Sequence, residues 1–154
     1  AASMTSRIDR ATRLISAAPS KLAEAFAAPD SFMAWLPPAG MTGRALEYDY
    51  REGGRYRIEL TYAAGGAGKS SANTDISTGR FLALEPGRRI VMSVEFDSAD
   101  PAFAGTMVMT WSLDSVSDGT KVTVSAADVP SGIAAADHEA GLASSLENLA
   151  RFVE

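Results

Sequence analysis

The stretch from about Ala135 to Val153 constrains this chain most, because it can hardly be anything but a long helix with one face to cover. Helix-forming residues run throughout it, and at 1.5 Å each its roughly 19 residues span about 28 Å. With His138 as origin and 100° per residue, Gly141, Leu142, Ser145, Leu146, Leu149, Phe152 and Val153 fall within one sector. Such an amphipathic helix needs a broad apolar partner.

The segment from Leu46 to Ala126 supplies one. In RYRIELTY, Tyr56, Ile58, Leu60 and Tyr62 alternate with Arg57, Glu59 and Thr61, which is the period of a strand with one wet face. A half-buried antiparallel sheet follows. Gly53-Gly54 suits a two-residue hairpin turn, and Pro86-Gly87 and Asp118-Gly119 suit turns before RRIVMSVEF and KVTV. With a first strand near Arg7 to Ser16 there are about seven strands, whose six intervals at ~4.8 Å span roughly 29 Å, the length of the helix. Two short helices are predicted between the first strand and the rest, over Ser20–Ala27 and Asp30–Leu36, with Ser20 and Asp30 as N-caps and Pro37-Pro38 ending the second. The predicted fold class is α+β, a curved antiparallel sheet under a long C-terminal helix, in one domain over residues 7–154. Residues 1–6 are expected to be an N-terminal tail or a remnant of expression, the second being open for Ala1–Ser3, which precede Met4.

Several function classes are excluded or disfavoured by composition. At 154 residues about 70% of the unfolded chain's surface can be buried, so one substantial core needs no staples. There are no cysteines, which excludes disulfides, thiolate metal sites and cysteine nucleophiles and fits a reducing compartment; the cytoplasm is the expected location. AASMTSRIDRAT lacks the apolar core of a signal peptide, and no stretch approaches the ~20 apolar residues of a membrane span. Fourteen Lys and Arg against nineteen Asp and Glu leave a formal charge of -5, with the basic residues scattered, so nucleic acid is not an expected partner. Ala63–Ser70, AAGGAGKS, satisfies a loosened phosphate-loop pattern. No helix is predicted directly after its Lys-Ser pair, however, and that chemistry requires one; the segment is read as a loop between strands.

Within the helix sector, His138 and Ser145 are polar groups set to face the sheet, and buried polar groups need partners. His138 could bond a backbone carbonyl near the helix start. Alternatively, His138 and Ser145 could orient a ligand's polar end, with Gly141 leaving room beside them. A catalytic histidine comes third, because nothing adjacent supplies an orienting carboxylate or a nucleophile. On the sheet, Met107, Met109 and Trp111 share one face of a strand, as do Ile90, Met92, Val94 and Phe96. Such stripes suit plain core as well as an adaptable cavity. Asp49, Glu59 and Asp75 lie nearest the strand centres, but Glu59 alternates out of phase with Tyr56, Ile58 and Leu60 and should point to solvent. No metal-ligand cluster stands out, and no metal or other cofactor is expected.

Three segments carry a family resemblance: Trp35-Leu36-Pro37-Pro38-Ala39-Gly40-Met41-Thr42-Gly43; Asp49-Tyr50-Arg51-Glu52-Gly53-Gly54-Arg55-Tyr56-Arg57; and His138-Glu139-Ala140-Gly141-Leu142 followed by Ser145-Leu146 and Leu149-Ala150. From about Arg7 to its end the chain resembles the SRPBCC (START-like) superfamily, in the bacterial branch named after the activator of the heat-shock-protein-90 ATPase. The resemblance implies the helix-grip fold, in which the sheet curls around the long helix and leaves a cavity for lipids, polyketides, hormones or other hydrophobic molecules. It implies a cavity lined by Trp35, by Tyr56, Ile58, Leu60, Met92, Met107, Met109 and Trp111 of the strands, and by His138, Leu142, Ser145 and Leu149 of the helix. Relatives often carry Trp where this chain has Leu142. A small hydrophobic or amphipathic molecule is the expected partner, in a binding protein. The alternatives are a cyclase or hydrolase using His138, and a module that contacts a chaperone, although the eukaryotic activator's additional N-terminal domain has no counterpart here. Oligomeric state is left open.

Overall fold

Seven antiparallel strands form one sheet in the computed structural model, which describes residues 7–62 and 73–154. Strand β1 (Ile8–Ile15) leads through helices α1 (Pro19–Ala27) and α2 (Pro29–Trp35) into β2 (Met41–Tyr48), β3 (Arg55–Tyr62), β4 (Thr74–Glu85) and β5 (Arg89–Phe96). A 3-10 turn at Pro101–Phe103 precedes β6 (Met107–Val116) and β7 (Gly119–Ala127), and helix α3 (Ala135–Val153) closes the chain. The spatial order is β1-β7-β6-β5-β4-β3-β2, so the meander from β2 to β7 is completed by β1 at its far edge.

Two register shifts, between Ala45 and Glu47 on β2 and between Phe81 and Ala83 on β4, bend the sheet. Its concave face wraps α3, which lies against β1, while α1 and α2 fill the space between helix and sheet at one end. There Phe26, Phe32, Trp35 and Trp111 pack edge to face or tilted, with ring centroids 5.0 Å apart for Phe26–Trp35 and 5.2 Å for Phe32–Trp35. Burying each such ring contributes about 1.5–3 kcal/mol. This end of the interior is filled by aromatic rings in contact.

Local expectations differ from the structure where proline or the loop path decides. Both short helices start one residue early, on Pro19 and Pro29, with Ala18 and Ala28 at the N-cap positions and no side-chain cap. Proline presets the first helical φ and has no N–H to be capped. Gly53-Gly54 is no two-residue hairpin: the whole of Asp49–Gly54 connects β2 to β3, with Gly53 at φ +81° donating its N–H to Phe81. Phe152, placed in the buried sector by its angle, is 46% exposed, while Ala150 is buried. The phosphate-loop-like Ala63–Ser70 lies outside the described residues.

Candidate functional site

Beyond the aromatic cluster, helix and sheet do not close on each other. A cavity of about 250 Å³ lies between α3 and strands β3 to β6. Tyr56, Ile58, Leu60, Met92, Met107, Met109, Trp111, His138, Leu142 and Ser145 all line it, together with Phe32, Leu36, Val94 and Phe96. Trp35 and Leu149 do not. The Trp35 indole donates to the Ala25 carbonyl at 3.0 Å, which holds its ring within the aromatic cluster. Leu149 lies two helical turns past Leu142, about 10 Å along α3, in the filled core, and both side chains are 0% exposed.

The strand register brings a carboxylate to His138. Asp9 pairs with Ala126, Ala126 with Met109 and Met109 with Met92, so these four share one row of the concave face. Asp9 is 1% exposed, and its Oδ2 lies 2.8 Å from His138 Nδ1. Arg7 binds the same carboxyl group from outside, Nη2 to Oδ2 at 3.0 Å and Nε to Oδ1 at 3.2 Å. The partner of His138 is therefore a buried carboxylate rather than a backbone carbonyl, and the orienting acid that the neighbouring sequence does not offer arrives from 129 positions away. An ionised carboxylate only accepts, so Nδ1 carries a proton and, in the neutral ring, Nε2 is the free acceptor. Asp9 had a signal in the sequence: it alternates in phase with buried Ile15 along β1.

Ser145 is also tied to the chain. Its hydroxyl donates to the Leu36 carbonyl at 2.6 Å, leaving only acceptor capacity towards the cavity. One turn on, Asn148 donates to the carbonyls of Trp35 at 3.2 Å and Pro37 at 2.9 Å, so the two side chains fasten the end of α2 to α3. On the sheet side, Tyr56 donates to the Ser93 carbonyl at 2.6 Å across Gly79, where a Cβ would stand 1.8 Å from that same oxygen. Burial, with Glu95 adding to it, pushes the Tyr56 phenol well above its ordinary value. Asp75 and Ser77 also reach the cavity, and Tyr62 places its hydroxyl 3.5 Å from Asp75 Oδ2. Glu59 points away and pairs with Arg44 at 2.9 Å. Among the described residues no group of three or more His, Cys, Asp or Glu could hold a metal ion, and no helix is long and apolar enough to cross a membrane.

The arrangement is an oily chamber with a fixed imidazole on its helix wall, and the fold that holds it recurs in known proteins. The family model of the Activator of Hsp90 ATPase homolog 1-like proteins matches residues 16–154. A crystal structure of a protein from Chromobacterium violaceum is 33% identical and superposes with a TM-score of 0.85, covering 96% of each chain. At 22% identity a Mesorhizobium loti protein superposes at 0.72, covering 95% of this chain and 96% of that one. An AHSA1-like protein from Aeromonas hydrophila, 20% identical, superposes at 0.70 over 96% of this chain and 92% of its own. No functionally curated protein matches. Family model, identity and shared fold agree, and the chain belongs to the Activator of Hsp90 ATPase homolog 1-like family of the SRPBCC superfamily.

Proposed function

We propose that this protein binds a small hydrophobic or amphipathic molecule in the cavity between α3 and the sheet. The observation that carries the reading is the cavity itself, an apolar chamber edged by His138 and Ser145 beside a well-buried hydrophobic core. The fold family generally binds hydrophobic ligands, which supports it. Apolar burial at about 25 cal/mol per Å² would supply affinity, and His138 would set orientation. A volume of about 250 Å³ lies just below the usual range for ligand pockets of roughly 300–1,000 Å³, which favours a fragment-sized or medium-chain molecule over a rigid sterol. The lack of cysteine supports a reducing compartment, the cytoplasm. A dye-displacement screen with medium-chain fatty acids, sterols and aromatic polyketides should find micromolar ligands among the smaller compounds; a screen in which nothing binds contradicts the proposal.

The 2.8 Å contact between Asp9 and His138 favours one second reading, a small-molecule cyclase or hydrolase. A carboxylate that fixes the tautomer leaves Nε2 placed to take a proton from a bound molecule or a water. Loss of turnover of a bound compound in His138→Ala with binding retained would establish it; unchanged turnover would remove it.

A further inference from the structure

The polar side chains of the cavity wall have mostly committed their protons. Tyr56 donates to the Ser93 carbonyl and Ser145 to the Leu36 carbonyl, both at 2.6 Å, and the Tyr62 hydroxyl sits 3.5 Å from Asp75 Oδ2. At His138 the Nδ1 proton is held by Asp9. None of these groups can donate to a bound molecule without first giving up a bond inside the protein. The Trp111 N–H is closed off as well: it is the only buried side-chain nitrogen or oxygen without a partner among the described residues, and a water-sized molecule reaches it from neither solvent nor cavity. Ser77 alone has a hydroxyl that can turn to either role. The carboxyl groups of Asp75 and Asp137 add further acceptors.

What the cavity offers instead is an acceptor. Nε2 of the neutral His138 ring carries a lone pair, makes no hydrogen bond among the described residues, and is not shut away as the Trp111 N–H is. Its direction follows from the anchor at the other nitrogen. Asp9 stands at the β1 end of the row Asp9–Ala126–Met109–Met92, and the two ring nitrogens point to nearly opposite sides of the imidazole. Nε2 therefore faces away from β1 and along that row, towards Met109 and Met92 on the cavity wall. We infer that the molecule this cavity takes is an alcohol or a phenol, an apolar body whose hydroxyl donates to His138 Nε2. This rests on the ligand-binding reading and names the ligand's class. An ether of the same shape would bring a second acceptor to an acceptor and leave Nε2 desolvated and unmet, which costs affinity.

The test uses shape-matched probes, 2-naphthol, 2-methylnaphthalene and 2-methoxynaphthalene, titrated into the full chain and into His138→Phe. The ratio of 2-naphthol to 2-methylnaphthalene affinity should be about tenfold higher in the wild type than in the variant, and the methoxy compound should follow the hydrocarbon. His138 is the only histidine, so its ring nitrogens are identified without ambiguity by nitrogen-15 NMR. In the wild-type protein the Nε2 resonance should move upfield with 2-naphthol and not with the other two probes; this readout decides alone if the variant does not fold. Probes that bind with the same ratio in both proteins, the Nε2 resonance unmoved, overturn the inference and leave ligand binding standing. If none of the three binds at micromolar concentration, both readings fall.

Discussion

Asp9 Oδ2 and His138 Nδ1 lie 2.8 Å apart and join the first strand to the first turns of the last helix. With Arg7 on the other side, the carboxyl group is bracketed by two donors although it is almost wholly buried. Asp9→Ala strands the His138 donor and should lower the unfolding free energy by about 1–3 kcal/mol. Arg7→Ala removes only the more exposed partner and should cost about 0–1 kcal/mol. Urea denaturation of the two variants measures the difference, and equal effects would mean that the contact with the helix contributes nothing.

Gly141 lines the cavity in mid-helix, and a Cβ built there meets only Pro38 Cγ at 3.9 Å. Gly141→Ala should therefore stabilise the protein by about 0.5–1 kcal/mol, the helix preference of alanine over glycine, and raise the thermal midpoint. Gly141→Leu should keep the fold and abolish probe binding by filling the chamber. Retained affinity in the leucine variant would place the ligand elsewhere.

Leu149 and Met109 separate core from cavity on neighbouring elements. Leu149→Ala empties a packed site and should cost about 2–5 kcal/mol with probe affinity nearly unchanged. Met109→Ala, on the cavity wall, should cost less and shift preference towards larger probes. Denaturation and a probe series of increasing size, run on both variants, check the pair.

All four tyrosines have phenols raised above their ordinary value, Tyr48, Tyr50, Tyr56 and Tyr62, in each case chiefly by burial. Above pH 10 the unfolded chain loses phenolic protons that the folded chain keeps, so stability is full below that pH and falls as pH rises. Tyr48, which donates to the Phe26 carbonyl, and Tyr56 should together give a slope approaching about 3 kcal/mol per pH unit. Phenolate absorbance followed with urea unfolding from pH 9 to 11.5 tests this. Free titration of all four near pH 10 in the folded protein would refute it.

What was legible in the sequence was periodic. The 3.6-residue pattern of α3 and the alternation in RYRIELTY and MVMTW specify which face each element buries, so the fold follows from them and from the resemblance, as does the concave face that carries Tyr56, Ile58 and Met109. Periodicity says which side of helix α2 Trp35 occupies, or of strand β1 Asp9, and nothing about what meets them across the interior. Trp35 is held in the core by the hydrogen bond that its indole N–H donates to the Ala25 carbonyl. Asp9 finds His138 only through the β1–β7 pairing, a long-range register that local pattern leaves undetermined. Trp111 offers no sign in the sequence that its donor goes unmet, since that depends on every neighbour at once.

The most direct test of the cavity follows the methionine methyl groups by NMR while decanoic acid or benzophenone is titrated in. Met41, Met92, Met107 and Met109 stand on the cavity's sheet wall, whereas Met33 lies in an open groove between α2 and β2. The four wall methyls should shift together with one micromolar dissociation constant and show contacts to the bound probe, with Met33 unmoved. Shifts confined to Met33, or none at saturating probe, would contradict a ligand chamber beneath α3.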